Sequence, residues 1–474
     1  MMRSLFSGVA GLKSHQTRMD VIGNNIANVN TTGFKSSRVT FQDTLNQTLT
    51  GAASGNGTTG GTNPQQIGLG VGIGSIDTIM NDGSVETTGK NTDLAISGSG
   101  FFVVNKGNSS YYTRDGAFSF DENGYYVLPG SGLKVQGWNG DPEADTISTS
   151  GTPTDIKVPA DSSLAAKATT KAAFTKNVNA AAPTITGMAV ALANGGTPTA
   201  ITSGKIGDSN GGSTIKSITL TMSDGTTQTV TTGTTTYTQG HSMPVTTTMT
   251  AYDSLGTKYA IPLTLEKSAT NTWIATIPAG TIKDTTGNSS ATIGTAVNQT
   301  IVFNNDGSYK SGSPASLNLT GLTSGAADAT ISLDFTGLTQ YGSESTASCT
   351  SSDGYTAGSL QSVSFDSSGV LTATYTNNER RKIAQVAMAS FNNPAGLEKS
   401  GGSLYTVSNN SGKVQIATVA ASGCKVTPSA IEMSNVDLAS EFSSMIVTQR
   451  GYQSNSKIIT VSDEMLETLI GMKR

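Results

Sequence analysis

Apolar residues recur at alternating four- and three-residue steps over the first 26 residues of the chain. The stripe consists of Leu5, Val9, Leu12, Met19 and Ile26, with Ile22 widening it. Gln16 and Gly23 occupy the two places where the pattern would put further apolar residues. A repeat of this period is typical of an amphipathic helix with a nearly heptad seam. The pattern therefore predicts an N-terminal helix.

The other end of the chain carries the same repeat. Its apolar positions are Phe442, Met445, Tyr452, Ile459, Leu466 and Ile470, and the positions between them are Gln449, Ser456 and Asp463. Ser434 or Asn435 is predicted to cap this second helix, and Glu441 follows early in it. The closing Lys473 and Arg474 place positive charge at the end that the helix dipole favours.

Two pairings are open to these helices. They can form an intramolecular hairpin that closes a domain, or each can find its partners in neighbouring subunits. Polar residues at core positions fit the second pairing, because such residues fix the register of a helical assembly at some cost in stability.

Between the helices the pattern changes to short alternating strands separated by Asp-Gly and Asn-Gly turns. Residues 33–75, which include the Gly- and Thr-rich stretch from residue 50, are predicted to be a linker. The predicted fold is multidomain and mainly β with terminal α-helices, in which a coiled-coil-like helical core domain is followed by nested β domains. The expected domains are a helical core (1–32 and 432–474), an inner β domain (76–144 and 356–431) and one or two outer β domains (145–355) with a sub-insertion at 180–243.

Composition narrows the classes of function. Charged residues make up 13% of the chain and the net charge is −4, whereas soluble proteins average about 25% charged residues. No basic run suggests nucleic acid, and no run of about 20 apolar residues predicts membrane insertion. The N-terminus lacks a continuous apolar segment, so a cleaved secretory signal is not expected.

Catalytic and metal-binding patterns are sparse. The chain has two histidines, His15 and His241, and its sequence contains no zinc-protease, nucleophile-elbow or P-loop motif. We therefore expect no enzyme activity, cofactor or metal. Cys349 and Cys424 are too few for a disulfide framework. They could be free, bridged or, in an extracellular polymer, crosslinked between subunits.

Several asparagines cluster where the N-terminal helix is expected to end. Asn24, Asn25, Asn28 and Asn30 lie within GNNIANVNTTGF, although asparagine is a poor helix former. One hypothesis is that their amides bond groups of neighbouring subunits. The alternative is that they only terminate the helix.

Four segments carry a family resemblance. The N-terminal text, above all ANVNTTGFK, the internal DLAISGSGFFVV and TRDGAFSFDENGYYV, and the C-terminal SNVDLASEFSSMIVTQRGYQSNSKIITVSDEMLETLIGMKR resemble the axial proteins of the bacterial flagellum, the rod and hook class. The resemblance covers about 1–145 and 355–474 and is weaker between them, where AYDSLGTKYAIPLTLEK is similar to the outer domain of hook proteins.

Within this class the length and the 145–355 insertion favour hook proteins over a distal rod protein. The resemblance implies a self-assembling subunit of a curved helical tube that acts as a universal joint and transmits motor torque to the filament. It further implies a hook cap protein, distal rod and hook–filament junction proteins as partners. Export would run through the flagellar type III apparatus to an extracellular hook.

A glycan-binding or adhesive outer domain is the alternative from another class. Such a site needs clustered exposed aromatic residues, and Trp273 is the single tryptophan of residues 145–355. This interpretation is therefore not favoured.

Overall fold

The computed structural model describes residues 2–55, 60–107, 109–141, 145–158, 163–233 and 235–472. It is mainly β, with a long helix near each end. The chain folds into two compact units. The first comprises Met1–Ser162, Leu360–Thr374 and Arg380–Arg474, and the second comprises Ser163–Ser359 and Tyr375–Glu379.

The elements from the N-terminus to residue 155 are α1 (Met2–Ala27), β1 (Ser37–Asp43), β2 (Asn46–Thr50), β3 (Gln65–Gly68), β4 (Val71–Thr78), β5 (Val85–Thr87), β6 (Leu94–Ser97), β7 (Phe101–Lys106), β8 (Ser109–Thr113), β9 (Ser119–Phe120), β10 (Tyr126–Leu128), β11 (Leu133–Asn139) and β12 (Thr154–Asp155). From residue 163 to 352 they are β13 (Ser163–Leu164), β14 (Lys171–Asn179), β15 (Ile185–Leu192), β16 (Thr199–Ala200), β17 (Ser203–Gly204), β18 (Ser209–Asn210), β19 (Ser213–Met222), β20 (Thr227–Val230), β21 (Tyr237–Thr238), β22 (Val245–Tyr252), β23 (Lys258–Ala269), β24 (Thr272–Ile277), β25 (Gly280–Lys283), β26 (Ser290–Ile293), β27 (Val297–Phe303), β28 (Tyr309–Ser311), β29 (Ala315–Thr320), β30 (Ala329–Tyr341) and β31 (Ser348–Ser352). The remaining elements are β32 (Gly358–Phe365), β33 (Val370–Tyr375), β34 (Arg380–Val386), β35 (Met388–Ser390), a 3₁₀ turn (Pro394–Gly396), β36 (Glu398–Gly401), β37 (Leu404–Thr406), β38 (Gln415–Ala417), α2 (Val419–Ser422), β39 (Lys425–Pro428), β40 (Ala430–Glu432) and α3 (Leu438–Gly471).

The first unit is built on an antiparallel sheet to which both halves of the chain contribute. Its central path runs β34–β11–β7–β8–β37–β36. A cluster of buried aromatic residues covers this sheet, and Phe391 meets Phe101 and Tyr112 edge to face with ring centroids 5.7 and 4.8 Å apart. Offset and edge-to-face aromatic pairs of this kind stabilise a core beyond the area they bury.

Residues 33–75 are not the structureless linker that their composition suggested. β1 pairs with β4 from Ser37↔Thr78 to Asp43↔Val71, and β2 pairs with β3 beyond it. The alternation in SRVTFQD and VGIGSIDT supports these ladders, which satisfy the backbone hydrogen bonds. The Gly- and Thr-rich composition belongs to the segment between β2 and β3.

The second unit has a core shared by two sheets. One sheet runs β22–β23–β24–β27–β28, and the other runs β25–β26–β29–β30–β14–β31, in which β14 and β30 are parallel. Both sheets contribute to one cluster that includes Trp273, Phe174 and Phe335, all fully buried. A third sheet, β16–β15–β19–β18 with β20, has its own apolar cluster around Ile218 and Leu220.

Candidate assembly interface

The two terminal helices lie against each other through small residues. A Cβ built at Gly8 of α1 would stand 3.4 Å from Ile459 Cγ1, and one at Gly11 would stand 2.6 Å from Asn455 Nδ2 of α3. Glycine at these positions therefore lets the two backbones approach closely.

The face that α3 turns to α1 combines the apolar Ile459 with a row of buried or partly buried polar residues. Thr448 and Ser462 are the buried residues of α3, and Asn455 lies midway between them against Gly11. With Glu441 they form a repeat of seven residues. Sequence reasoning missed this seam because it searched for apolar heptads, although the sevenfold spacing of small and polar residues is present in the sequence.

The structure distributes the predicted seam residues over two kinds of position. On α1, Ile22 is buried, Leu5, Leu12, Met19 and Ile26 are half-buried, and Val9 is 41% exposed. On α3, Met445, Ile459 and Leu466 are half-buried, whereas Phe442, Tyr452 and Ile470 are exposed. Their contact with another subunit stays a prediction.

Asn25 makes its hydrogen bonds within the chain. Its Nδ2 donates to the Ser37 carbonyl at 2.8 Å and to Glu441 Oε1 at 2.9 Å, and its Oδ1 accepts from the Ser37 N–H at 3.0 Å. The side chain is 1% exposed. Asn25 thus joins α1 to β1 and to the first turn of α3, so it is not available to a neighbouring subunit in this conformation.

Asn24 and Asn28 bond to each other at the end of α1. Asn28 Nδ2 donates to the Asn24 carbonyl at 2.9 Å, and Thr31 Oγ1 donates to Asn28 Oδ1 at 3.1 Å. Asn24 and Asn30 are exposed. This arrangement matches the helix-terminating alternative for Asn24 and Asn28.

The N-cap of α3 is Asp437, not Ser434 or Asn435. Its Oδ1 accepts from the Ala439 N–H at 3.0 Å, since Asp437 has the extended backbone that a cap requires. Asn435 instead bridges segments, accepting from the Ser36 N–H and donating to the Ile79 carbonyl, both at 2.8 Å. Lys473 and Arg474 lie outside the described residues.

A buried ionic cluster connects the segment that follows α1 to the segment that precedes α3. Lys35 follows α1, and its Nζ lies 2.5 Å from Oε1 of Glu432, which precedes α3. Arg114 Nη1 lies 3.2 Å from the other Glu432 oxygen and 3.3 Å from Asp82 Oδ1. The Gly83 N–H donates to Glu432 Oε1 at 2.8 Å. Glu432 thus has three donors, as a buried carboxylate needs.

Burial lowers the pKa of Lys35, and the adjacent Glu432 carboxylate opposes that change. Close by, Lys399 Nζ donates to the Lys35 carbonyl at 2.8 Å, and burial lowers the pKa of this lysine too. Burial raises the pKa of Asp115, which lines a cavity of about 610 Å³ together with Phe34 and Lys399.

The described residues were compared with the requirements of metal binding, membrane insertion and disulfide formation. They contain no cluster of three or more His, Cys, Asp or Glu side chains that could hold a metal ion. None of their helices is long and apolar enough to cross a membrane. Cys349 and Cys424 are free thiols, the first half-buried and the second buried.

Four family models match segments of the chain. They are described as Flagella basal body rod protein (residues 5–35), Flagellar hook protein FlgE/F/G D1 domain (95–177), Flagellar basal body protein FlaE D2 domain (236–355) and Flagellar basal body rod FlgEFG protein C-terminal (427–472).

Relatives match over the whole chain. The flagellar hook protein FlgE of Treponema pallidum is 37% identical and that of Borreliella burgdorferi 35% identical, each alignment covering all of both chains. The flagellar basal-body rod protein FlgG of Bacillus subtilis is 51% identical, but over 30% of this chain and 53% of its own length. Similarity to this rod protein is therefore partial, whereas similarity to these two hook proteins extends over the full length of the chain.

Proposed function

This chain belongs to the flagellar hook protein FlgE family, and we propose that it assembles through its terminal helices into a curved tube that serves as a universal joint between motor and filament. It is a structural subunit of the bacterial flagellar hook. The full-length identity to hook proteins is the observation that supports this function best. A distal rod protein is not favoured.

The proposal extends to partners and export. Copies of the same chain are the principal partner. A hook cap protein, distal rod proteins and hook–filament junction proteins contact the polymer at its ends. The subunit leaves the cell through the flagellar export apparatus without a cleaved signal peptide. We propose no catalytic activity, nucleic-acid binding or membrane insertion.

We further propose the domain plan inferred from the sequence, with the helical core at 1–32 and 432–474, the inner β domain at 76–144 and 356–431 and the outer region at 145–355. Outer β domains rich in Ser and Thr offer polar, hydrated contacts. Such contacts can exchange at modest cost when the tube bends.

An exposed apolar stripe on α3 supports assembly through the helices. Ile458, Val461, Met465 and Leu469 follow each other at three- and four-residue steps and are 38–53% exposed. Ile458 borders α1, because its Cγ2 would stand 3.7 Å from a Cβ built at Gly8, yet α1 leaves much of all four side chains exposed. An exposed apolar stripe on a helix is normally buried against another element. We propose that a second copy covers this stripe and the exposed seam residues Val9, Phe442, Tyr452 and Ile470.

Electron microscopy of basal bodies tests both levels of the proposal. Cells deleted for this gene are complemented with the parent chain, with an Ile458→Ser/Val461→Ser variant, or with Leu255→Ser as a control at an exposed residue of the second unit. We expect complete rods without hooks in the deletion strain, hooks with the parent and the control, and no hooks with the double variant.

The outcomes separate the two claims. Truncated rods in the deletion strain would contradict the hook function. Normal hooks from the double variant would leave that function intact and exclude the stripe as a subunit contact.

A further inference from the structure

His15 lies at a junction of three elements. Its ring meets Phe41 of β1 edge to face, with the centroids 5.5 Å apart. A Cβ built at Gly451 of α3 would stand 2.7 Å from His15 Cε1 and 2.8 Å from Nε2. The imidazole therefore fills the space that the missing side chain of Gly451 leaves open, and α3 can pack here because residue 451 is glycine.

One imidazole nitrogen lies where a proton would find no acceptor among the described residues. His15 Nδ1 is buried and has no hydrogen-bond partner among the described residues. A protonated imidazole carries two N–H donors, and a buried donor without a partner costs free energy. A neutral ring can instead leave its unprotonated nitrogen at this position.

A positive charge on the same helix disfavours protonation of His15. Arg18, one turn along α1, places its Cζ 5.8 Å from the centroid of the same Phe41 ring. Burial, and then the positive charge of Arg18, lower the pKa of His15. No carboxylate contributes to this shift.

Arg38 and Asp43 of β1 and Arg450 of α3 have partners other than His15. On β1 and β4, Arg38 pairs with Asp77 at 3.5 Å, and Asp43 accepts a hydrogen bond from Asn46 at 3.2 Å. On α3, Arg450 Nη1 donates to Gln453 at 3.2 Å. The groups in contact with the ring, Phe41 and Gly451, do not titrate.

We propose that the contact of His15 with Gly451 and Phe41 is an acid-sensitive latch that holds α3 on α1. The latch is closed while the imidazole is neutral. Protonation adds a second donor and a charge beside Arg18, and both are relieved only when the ring leaves the junction for water. Because α1 and α3 are the proposed core of the polymer, this inference rests on the proposed hook function, and acidification loosens the hook from its core.

The direction with pH follows from linkage. The pKa of His15 is lower in the packed state than the ordinary value of 6.5. The contribution of the latch to stability is therefore complete above about pH 6.5 and declines as the pH falls through the lowered pKa.

Hooks isolated from cells that carry the parent chain, His15→Gln or His241→Gln test the latch. Glutamine keeps a polar side chain but does not titrate in this range. Subunits released between pH 7.5 and 5 are measured by sedimentation. We expect at least tenfold more release at pH 5 than at pH 7.5 from parent and His241→Gln hooks, and less than a twofold change from His15→Gln hooks.

A second measurement does not depend on the His15 variant. The chain has two histidines, so in hooks of the His241→Gln chain labelled with ¹⁵N-histidine the ring-nitrogen signals in solid-state NMR come from His15 alone. A His15 pKa below 6.5 supports the latch, and a value at or above 6.5 overturns it. Equal acid release from parent and His15→Gln hooks also overturns it, whereas a parent strain without hooks contradicts the proposed function instead.

Discussion

At the residue scale, Gly33 shows how one position can constrain a whole junction. It follows α1 with a φ of +64°, and a Cβ at this position would lie 2.5 Å from the Asp115 nitrogen and 2.7 Å from the Arg114 carbonyl carbon. Its N–H donates to the Glu432 carbonyl at 2.8 Å. Gly33 thus permits both the left-handed turn and a close approach to two distant segments.

Replacing Gly33 with Ala is expected to destabilise the first unit by about 3 kcal/mol, because the new methyl group meets backbone that cannot move aside. Chemical denaturation followed by Trp138 fluorescence in a Trp273→Phe background reports on this unit.

Gly89→Ala is the matched control. Gly89 has a φ of +72° but nothing within 4 Å of its Cβ position. Gly89→Ala should therefore lower the free energy of unfolding only by the cost of placing alanine in a left-handed backbone conformation, about 1 kcal/mol. Equal losses for the two variants would show that the close approach at Gly33 does not matter.

The sequence indicated part of this junction. It predicted that helix α1 ends near the asparagine cluster, because Asn favours turns over helix interiors. It could not show that Gly33 meets Arg114 and Asp115, or that Asn25 reaches Glu441, since these pairs are distant along the chain and only the folded backbone brings them together.

At the element scale, the ionic cluster connects the ends of α1 and α3 to the β structure. Lys35 and Glu432 are both 0% exposed, and Arg114 is 1% exposed. Each of these buried charges is stabilised by an opposite charge beside it. Removal of one partner therefore leaves the others buried without a counter-charge.

Glu432→Ala is expected to cost the first unit about 3–5 kcal/mol, since it strands Lys35 and Arg114 in the interior. The same Trp138 denaturation measures it. Asp77→Ala removes the exposed pair with Arg38, whose side chains are 39% and 66% exposed, and should cost less than about 1 kcal/mol. A Glu432→Ala loss as small as that of the control would contradict a structural role for the cluster.

The elements were predictable to different degrees. Both terminal helices follow from their period. The face that joins them does not, because close packing through Gly8 and Gly11 gives no apolar signal and Thr448 and Ser462 resemble solvent-facing residues. β1 and β4 were hidden by composition, since the Gly- and Thr-rich segment beside them dominated the interpretation.

At the scale of the whole molecule, the structure is modular within its second unit. Residues 185–241 leave and return at one place, where the Ile185 N–H donates to the His241 carbonyl at 2.7 Å and the Gly240 N–H donates to the Ile185 carbonyl at 2.8 Å. Their apolar side chains form a cluster separate from the one around Trp273. The low aromatic content of this segment distinguished it from its neighbours in the sequence, whereas its separate apolar core is visible only in the structure.

Excision of residues 186–239, with Ile185 joined to Gly240 through two glycines, is therefore expected to leave the main core of the second unit folded. The join keeps His241 Nδ1 at its 3.2 Å contact with Glu266. The free energy of unfolding, measured by denaturation with Trp273 fluorescence in a Trp138→Phe background, should change by less than about 1 kcal/mol. Phe335→Ala in the same core should lower it by about 3–5 kcal/mol. An unfolded Trp273 environment in the excised chain would show that the segment supports the main core. If that core stays folded, hooks should still assemble, because the helix contacts proposed to drive assembly lie on α1 and α3, outside the excised segment.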